Sequence, residues 1–254
     1  MRALAINVGA NTNEPGFRGP VWPDGSFEYI PIPETEPAVD PPTYGDLADH
    51  LTTTIPDALS DQPVHLDPEF PEYPCCERYT YGDDHGIKAG PLSELTAGDY
   101  VIFYATLSVR ESAEWLPPEW GAFCIGQFRL AQDPLTGEEY AALDADGRAP
   151  FANNAHVRRE THAMSRNGDS RHDETTDARV LLTGDPSESA LYDRAVPLSN
   201  PSGGVDANEL VTELSADSGK GPWWRRPLRF DERATRKLLA VRESFATGVV
   251  DYQH

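Results

Sequence analysis

The chain has 254 residues, of which 39% are hydrophobic and 9% aromatic, enough to build the core of one large domain. It carries 42 acidic against 21 basic residues, a formal net charge of −21, and a charge of that sign normally argues against nucleic acid as a partner. No run of 18 apolar residues occurs, so no membrane-spanning helix is expected, and an odd set of cysteines, Cys75, Cys76 and Cys124, excludes a disulfide framework.

Lysine is scarce: Lys88, Lys220 and Lys237 are the whole complement, and the other basic residues are arginines. An acidic, lysine-poor surface stays hydrated in concentrated salt and repels itself in dilute salt. The expectation is a cytoplasmic protein of a salt-accumulating host, with its thiols reduced and partly buried. In about 1 M salt the Debye length falls to about 3 Å, so local clusters of arginine and aromatic side chains, rather than net charge, decide what binds. The apolar start, residues 3–8, is too short for a signal peptide and reads as a first strand.

A loop follows over Gly9–Pro20, with three glycines and two prolines. Pro23-Asp24-Gly25 predicts a turn, because proline presets φ and glycine accepts a positive one. Residues 27–32 alternate as an edge strand would. A short helix is expected over Tyr44–Leu51, a strand end or turn at Val64–Pro68, and a loop over residues 71–90. Pro91–Leu95 reads as a helical turn. Tyr100–Leu107 and Gly121–Leu130 are the clearest strands, rich in β-branched and aromatic residues. Residues 132–150 hold a helix, and 165–177 is a polar loop insertion. Arg179–Thr183 reads as a strand, Ser187 as the cap of a helix running to about Ala195, and Ala207–Leu214 as a short helix. Residues 232–245 form a final amphipathic helix, with Ala234, Leu238, Leu239, Val241 and Phe245 sharing a face. The fold class expected is α+β: a mixed, barrel-like β-structure with surrounding helices, one domain over residues 1–254.

Taken together, several of these segments resemble the nucleotide modification associated domain 3 family. They are the opening strand, Gly19–Gly25 (GPVWPDG), Ile30–Pro33, His65–Pro68, Gly98–Tyr104, Gly184–Ser187 and Ala195–Ser199. No one of them is specific; their order along the chain is what counts. The resemblance implies association with DNA modification and handling of nucleotides, without fixing a reaction. A second similarity is architectural. Glu94–Asp99, followed by a strand, a loop and the returning strand Ala122–Phe128, looks like PUA-like and EVE-like barrels, in which such a pair borders a base pocket. There Gly126 would let a ring approach the backbone; an ordinary hairpin explains the same pattern.

Four constellations bear chemistry. Asn11, Arg18, Trp22 and Asp24 lie in and after the glycine-rich loop, where backbone N–H groups suit phosphate; the segment lacks the P-loop and dinucleotide signatures, and a plain surface loop reads equally well. His65 and Asp67, two apart on a strand, face one side as a general acid–base pair or partial metal site, with His85 beside Asp83 and Asp84 as a third group; turn chemistry at Asp-Pro is the bland alternative. His156, Arg158 and Arg159, near His162 and Arg166, offer phosphate contacts, and Asn153 and Asn154 base-edge contacts, unless neighbouring acids neutralise the arginines. Trp223, Trp224, Arg225 and Arg226 suit base stacking with phosphate contact, unless a tryptophan belongs to the core.

The expected function is binding of a nucleotide or DNA base, with its chemical modification left open; His65 and Asp67 are the catalytic candidates, and Asn11, Arg18, Trp22, Asp24, His156, Arg158, Arg159, Trp223, Trp224, Arg225 and Arg226 the binding ones. A non-catalytic reader of modified bases and a ligand-free structural protein are the alternatives. The expected partner is a nucleotide or DNA, with no membrane; no metal is assigned, and the cofactor is unknown.

Overall fold

The computed structural model describes residues 1–159 and 176–247. Most of the polar insertion expected over 165–177, with His162 and Arg166, lies outside the described residues. The strands are β1 (Ala3–Asn7), β2 (Pro20–Val21), β3 (Ile32–Pro33), β4 (Val64–His65), β5 (Thr80–Asp83), β6 (Tyr100–Val109), β7 (Trp120–Arg129), β8 (Val180–Thr183), β9 (Ala190–Pro197), β10 (Ser199–Asn200), β11 (Gly203–Ala207) and β12 (Leu228–Phe230). The α-helices are α1 (Tyr44–Ala48), α2 (Gly86–Ser93), α3 (Gly137–Ala141), α4 (Ala145–Arg148), α5 (Ala155–Arg158) and α6 (Glu232–Thr247).

The main sheet runs β12-β1-β6-β7-β9, with β2 paired to the far end of β6. β1 is parallel to β6 and antiparallel to β12. The long strands β6 and β7 are buried along nearly their whole length because both sheet faces are covered, which explains their continuous apolar runs. Helix α6 packs on β9 and β12. The class is α+β, but the sheet ends at β12 and β9 and stays open, so the barrel-like expectation is corrected.

Three two-stranded ribbons flank this sheet: β3–β4, β5–β8 and β10–β11. The first two build the site. Between them and the main sheet lies an aromatic cluster in which Phe103 meets Phe128 at 4.7 Å and Phe70 at 5.5 Å, edge to face. The ring that lies on Gly126 is that of Phe70: a Cβ there would stand 2.6 Å from Phe70 Cζ. The glycine serves the core.

Local expectations fail where tertiary pairing overrides composition. Residues 71–90 contain β5 and most of α2, because Thr80–Asp83 pairs along Val180–Thr183. The segment expected as a helix after Ser187 is strand β9. Ser187 is no helix cap: its N–H and hydroxyl both donate to Asp185 Oδ1, at 2.9 and 2.8 Å, closing a turn that launches the strand. Cys124 then pairs with Val196. Residues 27–32 bridge only at Phe27 and enter a strand at Ile32. The stretch 207–214 is the end of β11 followed by a wide helical turn over Leu210–Leu214. Among the described residues no helix is long and apolar enough to cross a membrane, and all three cysteines are free.

Candidate functional site

Ribbon β3–β4 sets Ile32 opposite His65, which brings the Pro-rich loop after β3 beside β4. Glu34, in that loop, is 4% exposed, and its Oε2 accepts a hydrogen bond from His65 Nδ1 at 2.6 Å. Two residues on, Asp67 is buried; its carboxylate accepts the Gly82 N–H at 3.0 and 3.1 Å and Asn154 Nδ2 at 3.2 Å. Asn154 also caps α5, accepting the His156 N–H at 3.1 Å. That cap aims the His156 ring at the same point: His156 Nε2 lies 3.6 Å and His65 Nε2 3.9 Å from Asp67 Oδ2. The two imidazoles meet edge to face at 4.9 Å. His156 Nδ1 pairs with Asp177 Oδ1 at 3.0 Å.

Arg159 binds the outer carboxylates together. Its guanidinium reaches Glu34 Oε1 at 3.1 Å, Asp84 Oδ2 at 3.1 Å and Asp177 Oδ2 at 2.7 Å. Burial opposes the charge of Glu34, but hydrogen bonds from His65 and Arg159 outweigh it and bring its pKa down to about 2. Burial opposes ionisation of Asp177 too, and His156 and Arg159 hold it below the usual carboxylate range. Burial pushes Asp67 up to about 8 against the pull of His156 and the Gly82 N–H, and it lowers the pKa of His65 despite Glu34. For His156 burial works against the imidazolium, but Asp177 and Asp67 outweigh it and raise the pKa.

This centre floors a cavity of about 370 Å³. Val8 and Gly9 at the end of β1, Ile32, Tyr81 and the exposed Ile87 supply apolar wall. Lys88 and Arg225 bring positive charge to it, with Lys88 Nζ 3.8 Å from Asp83. Arg225 is exposed and has no side-chain partner among the described residues.

Of the residues singled out from the sequence, His65, Asp67, His156, Arg159 and Arg225 meet at this cavity, together with Asp83, Asp84 and His85. The other described ones do not line it. Asn11 and Asp24 hold turns, accepting the N–H groups of Asn13 and Ser26. Trp22 closes the second turn through its N–H to Ser26. Arg18 lies 4.5 Å over the Trp120 ring, and Arg158 donates to the Asp40 carbonyl. Trp223 is fully buried and donates to Val205 O at 2.9 Å, while Trp224 packs on Trp120. Arg226 pairs with Asp217 at 3.5 Å. The stacking platform read from this tandem is thereby corrected: Trp223 is core, and the cavity receives only Arg225. Sequence reasoning missed Glu34 and Asp177. Each stands in an acidic segment 31 or 21 residues from its histidine, and only the ribbon pairing joins them.

The fold and this buried histidine–carboxylate centre define an α+β protein with a small polar-floored pocket. The chain belongs to the nucleotide modification associated domain 3 family, whose profile matches residues 2–240. Among solved structures it is similar to the N-terminal domain of Thermococcus gammatolerans McrB bound to m5C DNA. The identity is 12%, the alignment covers 96% of this chain and 98% of that one, and the TM-score is 0.34. Among curated proteins, none matches the sequence.

Proposed function

We propose that this protein is an enzyme that binds a nucleotide, free or displaced from a DNA strand, in the cavity above His65, Asp67 and His156, and modifies it there. One observation carries the reading: two histidines and a carboxylate from two segments far apart in the chain converge, buried, at the floor of a ligand-sized cavity. Membership of a nucleotide modification associated family supports a nucleotide as the substrate class.

The walls suit a nucleotide. Lys88 and Arg225 match a phosphate, and Ile87, exposed at 75%, offers a base its apolar face. A volume of about 370 Å³ takes one nucleotide and no duplex, so a base within DNA would have to leave the stack. The reader alternative is served less well. Such a site needs aromatic platforms, and among the described residues Tyr81 is the one tyrosine lining the cavity, with no tryptophan or phenylalanine.

Equilibrium binding in molar KCl against nucleoside monophosphates and modified and unmodified DNA tests the proposal. Arg225→Ala and Lys88→Ala each remove a charge-assisted contact, expected to weaken binding about ten- to a hundredfold, or about 1.5–3 kcal/mol. His65→Ala is expected to keep binding and lose turnover. Binding without turnover in the parent protein would favour the reader. If no nucleotide or DNA binds, or if both cationic variants bind like the parent, the proposal fails.

A further inference from the structure

We propose that His65 Nε2, Asp67 Oδ2 and His156 Nε2 form a binding site for one divalent transition-metal ion. The argument starts from lone pairs. A carboxylate only accepts, so Glu34 fixes the proton of His65 on Nδ1 and leaves Nε2 as a bare acceptor. Asp177 does the same for His156: its contact to Nδ1, at 3.0 Å, is shorter than that of Arg159 Nη1 at 3.2 Å, and Arg159 has Asp177 and Asp84 as better acceptors. In the neutral imidazoles both of these nitrogens face Asp67 Oδ2, an acceptor when the carboxylate is ionised.

Three acceptors facing one point repel unless something positive lies among them. A single proton serves one edge at most, and the edges of 3.6 and 3.9 Å are too long for hydrogen bonds. They are within the span of about 4 Å available to two ligands each about 2.0–2.1 Å from a common ion. All three ligand atoms lie within 4.8 Å of one another, and all three residues are buried.

The surroundings point the same way. A metal-ligating histidine donates its other ring N–H to a carboxylate, which orients the ring and raises its basicity; here both histidines do so. Three carboxylates, Glu34, Asp84 and Asp177, share one guanidinium, that of Arg159, while Asp67 lies beside His156 Nε2 at 3.6 Å. Buried charge is either paired or spent on a metal. Two imidazoles and one carboxylate suit a borderline transition ion over Mg²⁺ or Ca²⁺, which prefer all-oxygen sites. With three protein ligands, further positions stay open toward the cavity. The site shares that cavity with the nucleotide reading, but metal uptake is measured with no nucleotide present, so either can fail alone.

The test is titration of chelator-stripped protein with Zn²⁺ and Co²⁺ in molar KCl, with elemental analysis of the reloaded protein. One equivalent of ion, a rise in Tm and a visible ligand-field spectrum for Co²⁺ are expected; Mg²⁺ at equal concentration should not compete. His65→Ala and His156→Ala should weaken binding at least a hundredfold. Glu34→Gln leaves all three ligands in place and should weaken it about ten- to a hundredfold, which keeps the test decisive if a ligand variant fails to fold. Absence of stoichiometric uptake overturns the proposal. So does loss of the ion in His85→Ala with retention in His65→Ala, which would assign it to the neighbouring Asp83, Asp84 and His85 group.

Discussion

A methyl group on Gly82 would stand 2.8 Å from His156 Cδ2 and 3.2 Å from Asn154 Oδ1. Neither neighbour is free to yield, since Asn154 holds Asp67 and Thr80, and His156 is pinned by Asp177. Gly82→Ala is therefore expected to rotate the imidazole away from Asp67, at an overpacking cost of about 1–3 kcal/mol. Denaturant unfolding reads the cost, and binding at the cavity should fall by more than stability does; unchanged binding would contradict this geometry. Part of the site was legible at this scale. His65 and Asp67 declare themselves by their spacing of two, and His156 and Arg159 by standing in a basic cluster within an anionic chain. Gly82 and Glu34 do not, because their roles depend on β5 and β3, whose partners lie far along the sequence.

At the level of elements, Asp99 shows how a turn sets the start of the central strands. Its carboxylate accepts the Arg2 N–H at 2.9 Å, Arg2 Nε at 3.0 Å and the Thr96 N–H at 3.0 Å, tying the approach to β1 to the approach to β6. Burial opposes the charge, but these donors, Arg2 foremost, hold its pKa below the ordinary value. A carboxylate depressed in the folded state stabilises above its unfolded pKa and loses that contribution as pH falls through the folded value. Asp99→Asn should cost about 1.5–3 kcal/mol at neutral pH, and the gap to the parent should close below about pH 4. Unfolding midpoints measured from pH 7 to pH 3 check this; a gap independent of pH would refute it. The strands β6 and β7 were readable because apolar runs leave little choice. Strand β9 was not: Ser187 and Glu188 imitate a helix start, and only pairing with β7 decides otherwise.

For the whole molecule, the excess of acid is the property most open to reading from composition, and it has a thermodynamic consequence. A formal charge of −21 repels itself least where screening is shortest, about 3 Å at 1 M salt against about 10 Å at 0.1 M. Tm should therefore rise steadily as KCl increases from 0.1 to 2 M, as measured by thermal unfolding. A flat or falling curve would show that the acids are paired locally rather than mutually repelling.

Strand β1 lies between β6 and β12, gaining one neighbour about a hundred residues downstream and the other more than two hundred. On a ribosome β1 must wait for a strand made more than two hundred residues later before both of its edges are hydrogen-bonded. Such distant contacts slow folding, since loop closure must come before the pairing that rewards it. Newly made chains should thus spend an appreciable time with an apolar edge uncovered, and the rate at which they reach the native state should depend on residues 228–230 far more than their small number suggests.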